Sequence, residues 1–304
     1  MNTYVMTNTL YNEAGELRRS DAFAFAPEIN PVEILTDHDR TEVLNFLKVR
    51  PVHTVIMASF IRDNGMESAD NRGKFYGYRN LSGELEGVAL IGHTTLIEAR
   101  SEKALKAFAK KAQTSETPIK MMMSHGDAIE RFWNYYAIAG QKPRHNFKEL
   151  LFEVRFPFLV QNCEWIVRAA KPEELEEVAK AQAAVAFMES GIDPMVKDPE
   201  GFLRRCLRRI EMGRTFVATE NGKLVFKVDV MSETEDTVYL EGLYVAEEYR
   251  GREIGSKCLA KVSLDLLDRV ENVCGLSNAD FASVHRSLGK AGYKNTDYCQ
   301  TIFV

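Results

Sequence analysis

The feature of this chain that most limits what it can fold into is a plan that occurs twice. EILTDHDRTEVLNFL (33–47) reads as a short strand, a turn and an amphipathic helix. EWIVRAAKPEELEEVAKAQ (164–182) reads the same way, with Pro172 at a helix start. Each half then presents a hairpin. KFYGYRN (74–80) and ELEGVALIG (84–92) flank Ser82-Gly83, while TFVATE (215–220) and KLVFKVDV (223–230) flank Asn221-Gly222. Asn-Gly is a strong tight-hairpin signal because both residues tolerate the left-handed backbone such a turn demands. A helix follows each hairpin, SEKALKAFAKKAQ (101–113) and GSKCLAKVSLDLLDRV (255–270). The pattern predicts two related α/β units, α+β in character, each a central mixed sheet flanked by helices.

The 304 residues are enough for two such units. The expected division is a leader at 1–30, a first unit at 31–160 and a second at 161–304. The stretch 142–162, with Pro143 and Pro157, contains the join, but Leu150-Leu151-Phe152 within it reads as a strand. A chain that is 45% hydrophobic and 27% charged is globular in composition. No apolar run approaches the ~18 residues of a membrane span, and the first residues have neither a basic nor an apolar signal region. Five cysteines without a CxxC spacing read as packed, reduced thiols, which with the absent signal points to the cytoplasm.

Charge and motif content exclude several function classes. Residues 1–159 balance 20 basic against 20 acidic side chains, whereas 160–304 carry 19 against 24, so the net charge of −5 lies in the second half. That balance argues against nucleic acid as a partner. The six histidines have no HxH or HxxxH spacing, so no metal site is expected. Neither a Gly-Lys-Ser loop nor a GxSxG elbow occurs. FLRRCLRR (202–209) reads as an amphipathic helix capped by Asp198-Pro199 and stopped by Gly213, its arginines on a solvated face. Met121-Met122-Met123 reads as a packed strand.

The two halves differ at one place. In the second, the strand VYLEGLYV (238–245) runs into AEEYRGREIGS, a loop that opens a helix. Converging N–H groups and the positive end of a helix suit a phosphate or pyrophosphate there. Gly251 and Gly255 let the backbone approach a ligand, and Arg250 and Arg252 add charge. The matching passage of the first half, HTTLIEARSEKALKAF, has no glycine.

Arg250 through Gly255 resembles the Q/R-x-x-G-x-G/A pyrophosphate loop of the GNAT N-acyltransferase superfamily. VCGLSNADFASVHRSLGKAGYKN (273–295) is similar to the segment that follows it there. The chain as a whole resembles bacterial predicted acetyltransferases with a degenerate GNAT half before an intact one. This resemblance implies an acetyl-CoA-dependent N-acetyltransferase that acylates an amine by direct attack in a ternary complex. Leu243, Tyr244 and Val245 would pair with the pantetheine arm. The amides of Arg252, Glu253, Ile254, Gly255 and Ser256, beside Arg250 and Gly251, would hold the pyrophosphate, and Asn278 would meet the cofactor from the other side. Glu241 matches the strand glutamate that serves as general base. The partners implied are an acyl-CoA and a small-molecule amine, with no nucleic acid and no membrane; a homodimer is allowed.

A carboxylate at that place has a chemical use. A primary amine is almost wholly protonated at neutral pH, so a base must take its proton before it attacks a thioester. The sequence departs from the family at three positions: Glu253 replaces the middle glycine of the loop, Phe281 an asparagine, and Leu288 the tyrosine that protonates the departing thiolate. These departures suggest an alternative, a non-catalytic or weakly active CoA-binding or interaction protein.

Overall fold

In the computed structural model, which describes residues 31–158 and 162–304, the repeated sequence pattern becomes a repeated order of elements. The first half runs β1 (Val32–Ile34), α1 (Arg40–Lys48), α2 (Pro51–Asn64), β2 (Gly73–Arg79), β3 (Leu85–Gly92), β4 (Thr94–Ala99), α3 (Glu102–Gln113), β5 (Met121–His125), α4 (Ala128–Tyr136) and β6 (His145–Val154). The second runs β7 (Arg168–Ala169), α5 (Leu175–Ser190), α6 (Pro194–Lys197), α7 (Pro199–Glu211), β8 (Thr215–Glu220), β9 (Lys223–Glu233), β10 (Thr237–Val245), α8 (Ile254–Leu267), β11 (Asn272–Asn278), α9 (Ala282–Lys290) and β12 (Lys294–Phe303). The leader at 1–30 lies outside the described residues.

Local chemistry sets the boundaries. Asn221 and Gly222 take φ of 51° and 77° and turn β8 into β9, the left-handed pair that keeps the strand twist continuous. Asn80 Oδ1 accepts from the Ser82 and Glu84 amides, at 2.9 and 3.0 Å, and closes the first hairpin. Asp198 caps α7 by accepting from the Gly201 amide at 3.0 Å.

The described strands join one mixed sheet in the order β1-β2-β3-β4-β5-β12-β6-β11-β10-β9-β8-β7. In each half an antiparallel meander ends in a strand that pairs in parallel with the next, β4 with β5 and β10 with β11. The last strand of each half is exchanged. β12 inserts between β5 and β6, and β6 inserts between β12 and β11, each antiparallel to its neighbours. Each half is a mixed sheet flanked by helices, and the two sheets are continuous.

The exchange explains the apolar run in β6. A strand buried on both faces reads as continuous hydrophobics. Leu151 packs with Val55, Tyr239 and Cys274 on one face. Phe152 and Val154 enter the second-half core on the other, with Val228 and Val230 of β9 and Cys258, Leu259 and Val262 of α8. The first half has its own cores, one around Leu105, Phe108, Phe132 and Trp133 and one around Leu47, Ile61, Val88 and Leu90. Among the described residues no helix is long and apolar enough to cross a membrane, and all five cysteines are free thiols, four of them buried.

Because Phe152 belongs to the first half and packs in the core of the second, Phe152→Ala should destabilise the whole chain by about 3–5 kcal/mol. Denaturant unfolding followed by far-UV circular dichroism and by tryptophan fluorescence should show both signals shifting together. Separated transitions would mean that the halves fold independently.

Candidate active site

The site begins where two parallel strands part. β10 pairs with β11 from Thr237↔Asn272 to Leu240↔Gly275, and no further, although β10 continues to Val245 and β11 to Asn278. On its other edge β10 carries a bulge, since pairing with β9 passes from Glu241↔Asp229 to Tyr244↔Lys227. Gly242 makes that bulge with φ +67°. A side chain there would be strained by the backbone and would meet the Gln182 Oε1 and Lys227 Nζ atoms, 2.7 Å away in the case of Lys227.

Lys227 holds the bulge in place. Its fully buried ammonium donates to Gln182 Oε1, to Asp229 Oδ2 at 2.7 Å and to the Gly242 carbonyl at 3.3 Å. Burial pushes the ammonium below its ordinary pKa, and the Asp229 carboxylate opposes that push. Asp229 in turn accepts from Thr215 Oγ1 at 2.7 Å and lies 3.6 Å from Arg209 Nε. Arg209 therefore departs from the solvated face expected for α7. Its side chain turns inward beside Asp229, with the guanidinium on Met231 Sδ and Cys206 Sγ.

Glu241 sits at the start of the bulge, partly buried, and among the described residues it has no hydrogen-bond or ion-pair partner. Burial raises its pKa above the ordinary carboxylate value, and the Arg209 charge opposes the rise. A carboxylate that is short of partners and costly to ionise is suited to taking a proton.

Past the splay, the loop 246–253 leads into α8. Glu253, at φ +62°, occupies the left-handed backbone that glycine adopts most cheaply. Its side chain points away along the rim and pairs with Lys290 Nζ at 2.5 Å. No side chain caps α8, so the amides at its start are left for a ligand. They border a cleft of about 460 Å³. Of the residues expected to bind a cofactor, Leu243, Tyr244, Val245, Arg250, Gly251, Glu253, Ile254, Gly255 and Ser256 line it. The Cβ of a residue at 251 would meet nothing within 4 Å, whereas one at 255 would meet Val245 Cγ2 at 3.0 Å. Arg250 Nε donates to the Val245 carbonyl at 3.1 Å.

Two of the expected residues stand apart from this lining. Arg252 lies over the Tyr249 ring, 5.6 Å from its centroid. The Asn278 side chain accepts from the Asp280 amide at 2.9 Å and serves the turn into α9. Leu288 is a core residue, packed with Ile254, Cys258 and Ala291, while Ser283, Ser287 and Lys290 of the same helix border the cleft. Tyr293 is buried with its hydroxyl on Ser263 Oγ at 2.7 Å, and burial raises its pKa far above the ordinary phenol value.

The first half closes the equivalent place. Only Arg100 and Ser101 separate β4 from α3, and Ser101 Oγ accepts from the Ala104 amide at 3.2 Å, capping the helix. Counted from the first parallel pairs, Thr94↔Met121 and Thr237↔Asn272, Glu98 falls at the place of Glu241. Unlike Glu241, Glu98 is ion-paired, with Arg50 Nη1 at 3.3 Å and His125 Nδ1 at 3.4 Å. Burial pushes its carboxyl up, but those two partners more than reverse the push.

These features agree with what known proteins show. The profile of the acetyltransferase (GNAT) domain family matches residues 211–293, which span the bulge, the loop and α8. This stretch of the chain is similar to a GNAT domain. Among solved structures, a Drosophila protein is 13% identical with a TM-score of 0.67, covering 90% of this chain and 98% of its own. A GNAT-family acetyltransferase from Colwellia psychrerythraea is 14% identical with a TM-score of 0.57, covering 90% and 99%. A tandem GNAT protein from the clavulanic acid biosynthesis pathway is 11% identical with a TM-score of 0.54, covering 89% and 97%. At these identities the likeness shows a shared fold over most of the chain. No curated protein matches the chain.

Sequence reading of the GNAT motif missed Lys227, Asp229 and Arg209. The one available signal was a charged pair, Lys227 and Asp229, inside the apolar strand KLVFKVDV. Because Leu288 lies in the core, Leu288→Tyr should bury an unpaired hydroxyl and cost about 1–3 kcal/mol. Thermal unfolding would measure it. An unchanged melting temperature would mean that a side chain at 288 reaches the cleft.

Proposed function

We propose that the chain is an acetyl-CoA-dependent N-acetyltransferase that acylates an amine by direct attack in a ternary complex. The observation that carries this reading is the uncapped start of α8 facing a cleft, one bulge away from an unpartnered glutamate. The first unit, 31–160, is its degenerate half, without a pyrophosphate loop, and the second, 161–304, is the acyl-CoA-binding half.

The loop amides from Arg252 to Ser256 suit a pyrophosphate because the helix start supplies N–H donors and a positive partial charge. The free edge of β10 at Leu243, Tyr244 and Val245 offers backbone groups that β11 does not use and that the amides of a pantetheine arm can bond. The donor supplies a thioester carbonyl; attack by the amine nitrogen forms the C–N bond and releases the thiolate. Glu241 takes the proton of the incoming ammonium, directly or through one water, so that the nitrogen attacks as a neutral amine. Its raised pKa helps it, since a base works best when its affinity for protons approaches the working pH.

Glu241→Gln keeps the shape and loses the base. Turnover at neutral pH should fall by roughly 10²–10⁴, with affinity for CoA within about twofold. The sign of the pH dependence follows from the raised pKa. In the native enzyme kcat/KM falls as pH drops through the Glu241 value, above the ordinary carboxylate range, and the variant loses that limb. A variant with native turnover and an unchanged acid limb would place the base elsewhere.

A further inference from the structure

Two of the five cysteines face each other at the edge of the second-half core. Cys258 is the fifth residue of α8, fully buried in the same cluster as Ile254, which lines the cleft. Cys163 lies in the irregular segment before β7 and is half-buried against that cluster. Their sulfurs are 3.9 Å apart, and the Cys163 thiol also donates to the Trp165 carbonyl at 3.6 Å. Sulfurs in contact have nothing between them, so a bond of about 2.05 Å needs only a small closure.

The remaining cysteines are placed differently. Cys274 and Cys299 meet β6 from its two opposite edges, beside Glu153 and Glu149. Two strand spacings, roughly 9–10 Å, exceed the ~7 Å between Cα atoms that a disulfide can span. Cys206 belongs to α7, with the Arg209 guanidinium at its sulfur.

Within the facing pair the two thiols have unequal access. Solvent reaches Cys163 and not Cys258. Burial, and after it the Cys163 thiol alongside, push the Cys258 thiol above its ordinary pKa, so Cys163 is the one that meets an oxidant. A peroxide gives one oxygen to the Cys163 sulfur, forming a sulfenic acid and releasing water. The Cys258 sulfur then attacks that sulfur. The S–S bond forms, the S–O bond breaks, and the hydroxide leaves with the Cys258 proton as a second water. Two thiols lose two electrons, and the peroxide gains them.

The pair is also joined to the cleft by packing. Two residues after Cys163, the Trp165 ring stands edge-on to Tyr249, 5.8 Å between centroids and 87° between planes. Tyr249 lies in the loop 246–253 and lines the cleft. Cys258 is locked in the core, so closure draws the Cys163 segment, and Trp165 with it, onto α8.

We propose that Cys163 and Cys258 are a reversible oxidation site, closed by a peroxide, which tethers the 162–167 segment to α8 and stiffens the loop 246–253 through Trp165 and Tyr249. The site does not rest on the acyl-transfer reading.

The full chain, treated with hydrogen peroxide, should lose about 2 Da by intact mass spectrometry, the mass of two hydrogens. Digestion without reductant should yield one linked pair of peptides, carrying Cys163 and Cys258. Dithiothreitol should restore the original mass. Hydrogen exchange at 246–256 should be roughly fivefold slower or more in the oxidised chain, because a tether suppresses local opening. Cys163→Ser, at a half-buried position, should fold, keep its mass at the same peroxide dose and show unchanged exchange. Cys258→Ala, confirmed as folded by circular dichroism, should gain about 16 Da at Cys163 instead, the sulfenic acid left without its partner. A native chain that only gains oxygen, a disulfide mapped to other cysteines, a Cys163→Ser chain that still loses 2 Da, or loop exchange equal in both redox states would overturn the proposal.

Discussion

The buried ammonium of Lys227 is the interaction on which the rest of the site depends. A charge so deep is tolerable only when its donors are satisfied and a counter-charge is at hand, and Gln182, Asp229 and the Gly242 carbonyl meet both conditions. In bonding that carbonyl, Lys227 fixes the bulge of β10. The bulge separates Glu241 from the stretch at Leu243 to Val245, so one strand presents a carboxylate at one level and a free backbone edge at the next. Asp229 extends the same network to Arg209, whose charge moderates the rise in the Glu241 pKa. Glu241 and the free strand edge are thus set by one lysine.

Strand exchange makes the two halves unequal partners in one structure. Glu98 and Glu241 occupy equivalent places in their parallel strand pairs, yet one is neutralised by Arg50 and His125 and the other is left without a partner. The same contrast holds at the helix starts. Ser101 caps α3 after a two-residue connection, while α8 follows a long loop and has no side-chain cap. The first half nonetheless takes part in the second, since β6 packs Phe152 and Val154 into the second-half core.

The repeated order of elements was legible because its signals are local: alternation in the strands, Asn221-Gly222 at a hairpin, Asp198 at a helix start. The loop at 250–256 was legible for the same reason, as consecutive residues build it. The exchange of β6 and β12 was not, because pairing partners far apart in sequence leave no mark in either strand beyond an apolar run such as Leu150-Leu151-Phe152. Arg209 was misplaced because helical periodicity tells which face a residue occupies but not that a buried Asp229 waits beside that face. Asn278 was assigned to the cofactor by resemblance, whereas its side chain serves the Asp280 turn.

The central claim is that one helix start, and not its counterpart in the first half, makes this chain a CoA-dependent enzyme. Isothermal titration with CoA tests it most directly. One site per chain, abolished by Gly255→Asp combined with Arg252→Glu, is the predicted result, since both changes set negative charge at the uncapped start of α8. Two equivalent sites per chain, or native binding by the double variant, would contradict it.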